Sequence, residues 1–170
     1  ADQVDGYDEP KIELQDMTSR DGYADEFFNS LDIDPRHSGE GRAYYQPANN
    51  FCHMPNRENF KATSTSTATE GYYSTLAHEY THATMHESRL NREVPSVAVE
   101  ECIAEIGSTL VMSYLGLSDS VRDDHIIYVK SWLKALKNDK TWITKAASKA
   151  QKALDWMIEQ NEKTQLDQAA

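Results

Sequence analysis

The chain is expected to be an α+β protein, mainly helical, with a small β region ahead of its helices. Residues 36–54 set short aromatic and apolar runs between turn residues, the pattern of brief strands. From about residue 70 onward, apolar residues recur at helical spacing in four successive segments. No internal repeat is present, and 170 residues with 39% hydrophobic and 26% charged content are enough for one domain with its own core.

Residues 1–22 are acidic, carry no sustained period, and read as a linker or loosely packed arm. Asp25 to Leu31 forms a short helix carrying Phe27 and Phe28. Arg42–Gln46 and Asn50–Met54 are strand candidates joined by Pro47–Asn50, and Pro55 with Asn56 stops the second. Ser64 to Thr69 is a loop, and Thr67-Ala68-Thr69-Glu70 has the form of a capping box opening a helix over about 70–88. At about 100° per residue, Tyr73, Leu76, Ala77, Tyr80 and Thr84 share one arc of that helix, while Thr75, His78, Glu79 and His82 lie opposite. The polar side should therefore look into a cleft or solvent.

Ser96 is the expected N-cap of a helix running to about Leu115 and ended by Gly116. Val99, Ile103, Ile106 and Leu110 form its core stripe, and the small Ala104, Gly107 and Ser108 should admit a neighbouring helix closely. A further helix spans about 123–137, with Ile126, Val129, Leu133 and Leu136 inward. The last runs from about Thr141 to Gln160, leaving 161–170 as a polar, flexible tail.

A net charge of −11 argues against a nucleic-acid-binding surface on this segment. No apolar run reaches membrane-spanning length, so no membrane association is expected. Cys52 and Cys102 lack the density of a disulfide framework and are expected as free thiols, consistent with a cytoplasmic protein. No cysteine cluster indicates a second, structural zinc.

His78-Glu79-Tyr80-Thr81-His82 is the most informative string. One helical turn separates the histidines, so both imidazoles project to one side at the spacing one zinc ion requires. Glu79 is then placed as general base. A catalytic zinc needs a third protein ligand, and Glu100-Glu101-Cys102-Ile103-Ala104-Glu105 offers it. Glu101 and Glu105 share a helix face opposite the core stripe, so Glu101 is the expected ligand and Glu105 the carboxylate that takes the free N–H of a ligating histidine. The plain alternative is two solvated glutamates on the wet side of a helix. His86 lies two turns from His78, too far to join the same ion, and His37 and His53 are read as structural. Asp123 and Asp124 complement a helix dipole, whereas His125 or Tyr128 would be placed to stabilise an oxyanion. Trp132, Trp142 and Trp156 read as core.

These residues resemble the gluzincin pattern of zinc metallopeptidases, in which a glutamate on a following helix completes the motif and an acidic residue stands four positions later. His78, Glu79, His82, Glu101 and Glu105 match it position by position. Arg36-His37, Arg42 to Tyr45, Met54-Pro55, Tyr72 to Glu79, Ser88 to Arg92, Glu100 to Gly107 and Ser131 to Lys140 are similar to a narrower family. That family is the zincin-like C-terminal domain of ArdC-type antirestriction proteins of mobile elements. The resemblance implies a zincin-like metallopeptidase domain over 23–160, zinc as cofactor, and a protein or peptide substrate. The loop from Arg92 to Val99 is shorter than usual in the family. The family's upstream single-stranded-DNA-binding domain has no counterpart here, so DNA binding is not carried over; Ala1 and the acidic opening are those expected of a C-terminal fragment. Two histidines and a carboxylate also suit manganese or cobalt. The rival readings are a catalytically silent, metal-stabilised protein-binding module, and a metal-free helical domain with an accidental motif.

Overall fold

The computed structural model describes residues 18–94, 96–117 and 141–169. In chain order these form α1 (Gly22–Asn29), β1 (Asp34–Ser38), β2 (Tyr44–Gln46), β3 (Phe51–Pro55), α2 (Ala68–Ala83), α3 (Val97–Tyr114) and α4 (Trp142–Gln168). A small sheet followed by helices is the α+β arrangement expected from the sequence. The helix anticipated at 123–137, and with it His125, Tyr128 and Trp132, falls outside the described residues.

The sheet has the order β1-β3-β2, with β1 parallel and β2 antiparallel to the central strand. The β2–β3 connection is a short 3-10 turn, Pro47–Asn49, closed by Asn50 in the left-handed region at φ 49°. The strand β1 escapes a reading by periodicity because Asp-Pro-Arg-His-Ser has no apolar alternation and its first four residues are exposed. Pairing with β3 defines it, not burial of its own side chains.

The Thr67 hydroxyl accepts from the Glu70 N–H and the Glu70 carboxylate accepts from the Thr67 N–H, so the capping box forms and starts α2 at Ala68. The helix ends at Ala83, short of 88, because Arg89 and Arg92 fold back onto its C-terminus. Their guanidinium groups donate to the carbonyls of Ala83 (3.0 Å) and Thr81 (2.9 Å), replacing the partners a longer helix would supply. α2 is buried on nearly every side, including the polar one.

One side of α2 meets an aromatic core. Phe28 contacts Tyr80 edge-on and stacks on Tyr73, with Leu76, Met54, Val111, Leu154 and Met157 around them. Each such large apolar side chain contributes about 1.5–3 kcal/mol on burial. Another side meets α3. Here Ser108 donates to the Ser74 carbonyl at 2.8 Å, and a Cβ on Gly107 would stand 2.5 Å from Thr81 Cγ2. The helices touch at that point only because residue 107 has no side chain.

Ser96 caps α3 through the Val99 N–H, and Gly116 leaves it at φ 67°. Its Ile103, with the half-buried Val99, Ile106 and Leu110, packs on Ala146 and Ala150 of α4, the stripe expected from periodicity. α4 runs on to Gln168, so residues 161–168 are helix and not a flexible tail. Asn161 and Thr164 explain the extension, donating to the hydroxyl and carbonyl of Ser30 at the end of α1 (2.9 and 3.0 Å). Packing also reaches ahead of α1: Asp21 caps it at the Ala24 N–H, and the Thr18 hydroxyl donates to the Arg57 carbonyl. Cys52 and Cys102 are free and buried, and burial pushes both thiols up, Cys102 to about 12. Among the described residues no helix is long and apolar enough to cross a membrane.

Candidate metal centre

Regular helical geometry from Ala68 to Ala83 stacks His78 and His82 one turn apart. Their Nε2 atoms lie 3.1 Å from each other. The first turns of α3 bring Glu101 against the same point, its carboxylate oxygens 3.5 Å from His78 Nε2 and 3.6 Å from His82 Nε2. One ligand atom from each of the three residues falls within 4.8 Å of the others, close enough to share an ion.

Both imidazoles are backed by carboxylates on their other nitrogen. Glu105 Oε1 stands 3.4 Å from His78 Nδ1, the place the sequence assigns it. Behind His82 stands Glu100, 3.1 Å from Nδ1 and 4% exposed, a residue not singled out from the sequence. Arg92 grips that carboxylate in a fork, with Nη1 and Nη2 each 2.8 Å from an oxygen. Glu100 was missed because neighbouring helix positions point about 100° apart, so it does not share the face of Glu101 and Glu105. The available signal was a pair of arginines, Arg89 and Arg92, in the α2–α3 connection ahead of two consecutive glutamates.

These partners test whether the site suits a metal. A carboxylate at Nδ1 holds the proton there and leaves the Nε2 lone pair free. Two imidazole nitrogens 3.1 Å apart, with a carboxylate beside them, form a donor set that a cation would satisfy. Two imidazole nitrogens and one carboxylate oxygen fit a first-row divalent ion.

The electrostatics agree. Burial pulls the His78 imidazole down, but its bond to Glu101 and the charges of Glu105 and Glu79 more than reverse this, so it is raised. Contact with His78 holds Glu101 below the usual carboxylate range. Burial raises Glu100, yet its bonds to His82 and Arg92 carry it below that range. Glu79, 6% exposed, goes the other way: burial raises it despite His78 and His82, and the Tyr45 backbone N–H donates to it.

A cleft of about 400 Å³ opens over His78, Glu79, His82 and Glu101, with Tyr44 and Tyr45 on one wall and Met85, Val94 and Val97 among its remaining lining. The polar side of α2 thus faces a cleft, as expected. His86 lies past the end of α2, paired with Ser88 (2.8 Å). His37 pairs with the Tyr72 hydroxyl, and His53 spans Ser38 and the Arg42 carbonyl, both structural as expected.

The model of a zincin-like metallopeptidase family matches residues 22–149. The chain is 38% identical over 169 residues to the uncharacterised protein y4eC of Sinorhizobium fredii, covering 96% of this chain and 53% of that protein. It is 33% identical over 165 residues to the DNA primase TraC of Escherichia coli, covering 93% of this chain and 15% of the primase. It therefore spans about half the length of the first relative (53%) and a small part of the second. Two crystal structures of the antirestriction protein ArdC from plasmid R388 are similar in fold. The Mn(II)-bound form superposes with a TM-score of 0.68 at 44% identity, over 95% of this chain and 60% of that one. The metal-free form gives 0.72 at 43% identity, over 96% and 59%. The chain thus belongs to the zincin-like metallopeptidases, in the form that family takes in ArdC-type antirestriction proteins.

Proposed function

We propose that this chain is a zinc-dependent peptidase domain of an antirestriction protein, with His78, His82 and Glu101 holding the ion and Glu79 as general base. The observation that carries the reading is the convergence of two Nε2 atoms and the Glu101 carboxylate beside the buried Glu79 carboxyl. When bound, the ion polarises a scissile carbonyl and lowers the pKa of a water toward about 7.

The chain's own residues supply the rest. Glu79 takes a proton from the attacking water and returns it to the leaving amine. Its burial makes it a stronger base than a solvated glutamate, and the Tyr45 N–H orients it. Glu105 and Glu100 hold His78 and His82 in the ligating tautomer. β2, an edge strand of the sheet, lines the cleft, so an extended protein or peptide substrate has a strand edge to lie along. The free buried thiols suit action in the cytoplasm.

Elemental analysis of the purified protein, with cleavage of a mixed peptide library read by mass spectrometry, tests the reading. About one zinc per chain is expected, lost in Glu101→Ala and weakened in Glu105→Ala. Glu79→Gln should keep the metal and abolish cleavage. Cleavage that persists in Glu79→Gln, or a wild type that takes no metal from a zinc soak, would sink it. Manganese at the same stoichiometry would keep the site and change the ion.

A further inference from the structure

On its Nδ1 side His78 meets the Glu105 carboxylate at 3.4 Å. His82 is backed by a chain of contacts that leaves the site: Glu100 at Nδ1, then the fork of Arg92, then the end of α2. We propose that Arg92 is a positioning residue for the metal centre, acting through Glu100 to fix the orientation and tautomer of His82. The inference rests on the reading that His78, His82 and Glu101 hold a divalent ion.

The geometry leaves Glu100 little freedom. Its two oxygens each take a guanidinium N–H at 2.8 Å, so rotating the carboxylate away from His82 breaks a bidentate pair. Both side chains are 5% exposed, and no solvent stands ready to replace those bonds. Arg92 is itself held at the far end, donating from Nη2 to the Thr81 carbonyl (2.9 Å) and from Nε to the Thr84 hydroxyl (3.1 Å). Thr81 precedes His82 in the chain, so one guanidinium ties the backbone beside the ligand to the carboxylate that orients its ring. Lysine, a single point donor, cannot make the fork.

Arg89 provides an internal control. It too caps α2, at the Ala83 carbonyl (3.0 Å), and it binds Asn50 (2.6 Å) and the Asp32 carbonyl (2.7 Å). Among the described residues, Glu100 is not one of its hydrogen-bond partners. If Arg92 were only a staple for the helix end, the two arginines would be equivalent.

The test compares wild type with Arg92→Met, Arg92→Lys, Glu100→Gln and Arg89→Met in the full chain. The first readout is the side-chain ¹⁵N spectrum of His82 in metal-free protein at about pH 8. The second is zinc affinity by competition with a chromophoric chelator. Wild type should show one tautomer, protonated at Nδ1. Arg92→Met should mix the tautomers and weaken zinc about ten- to a hundredfold. Arg92→Lys and Glu100→Gln should weaken it in the same direction. Arg89→Met should lower thermal stability yet leave tautomer and affinity as in wild type. Equal loss of affinity in Arg89→Met and Arg92→Met, or an unchanged His82 tautomer in Arg92→Met, would overturn the inference. If wild type binds no zinc, the metal reading fails, and the tautomer comparison still decides the link from Arg92 to His82.

Discussion

α2 is buried on two sides by opposite means. Toward α1 and α4 it presents Tyr73, Leu76 and Tyr80 to an aromatic and aliphatic core. Toward α3 it presents His78 and His82 to Glu100, Glu101 and Glu105; His82, Glu100 and Glu105 are buried, His78 is half-buried, and the Glu101 side chain is 37% exposed. Apolar burial stabilises the first side directly. The second side removes charges from water, at a cost that hydrogen bonds and ion pairs largely offset. Stability is therefore expected to reside in one face and metal affinity in the other, although a single helix carries both.

The largest test of that division is Tyr80→Ala. It opens a cavity beside Phe28 in the main core and should cost about 3–5 kcal/mol in denaturant unfolding. Zinc affinity measured on the folded fraction should hardly change. A comparable loss of affinity would show that the two faces are not separable.

Gly107→Ala should reverse the order. The added methyl meets Thr81, next to His82, so α3 must shift from α2 at a cost of about 1–3 kcal/mol. Chelator competition should show a greater loss of zinc affinity than in Tyr80→Ala. Equal affinity in the two variants would mean that this helix contact does not set the ligand positions.

The smallest effect is expected from Thr67→Ala, which removes the N-cap of α2 far from either partner face. About 1 kcal/mol of stability should be lost, with zinc affinity unchanged. A fall in affinity here would mean that fraying at the start of α2 is felt at the site.

Elements with a local cause were legible before the structure. Thr67 with Glu70 marks the start of α2, Ser96 and Gly116 bracket α3, and His78, Glu79 and His82 share a helix side by geometry alone. Glu101 and Glu105 also followed from spacing, since residues four apart occupy one face. The small residues Ala104, Gly107 and Ser108 correctly marked the contact with a neighbouring helix. Features made by distant partners were not legible. β1 is a strand because β3 lies beside it, α2 stops at Ala83 because two arginines return to its end, and α4 continues past Gln160 because Ser30 receives Asn161 and Thr164.

By itself, then, the sequence determined the α+β class, the helix carrying the paired histidines, and the face offering Glu101 and Glu105. These depend on short-range rules: the period of a helix, the chemistry of a cap, the spacing of ligands. Only the tertiary structure decided that Glu100 stands behind His82 and that Arg92 holds it there. Their meeting depends on how α2 packs on α3 and how the intervening loop folds back, and no local periodicity encodes the distance between side chains on different elements.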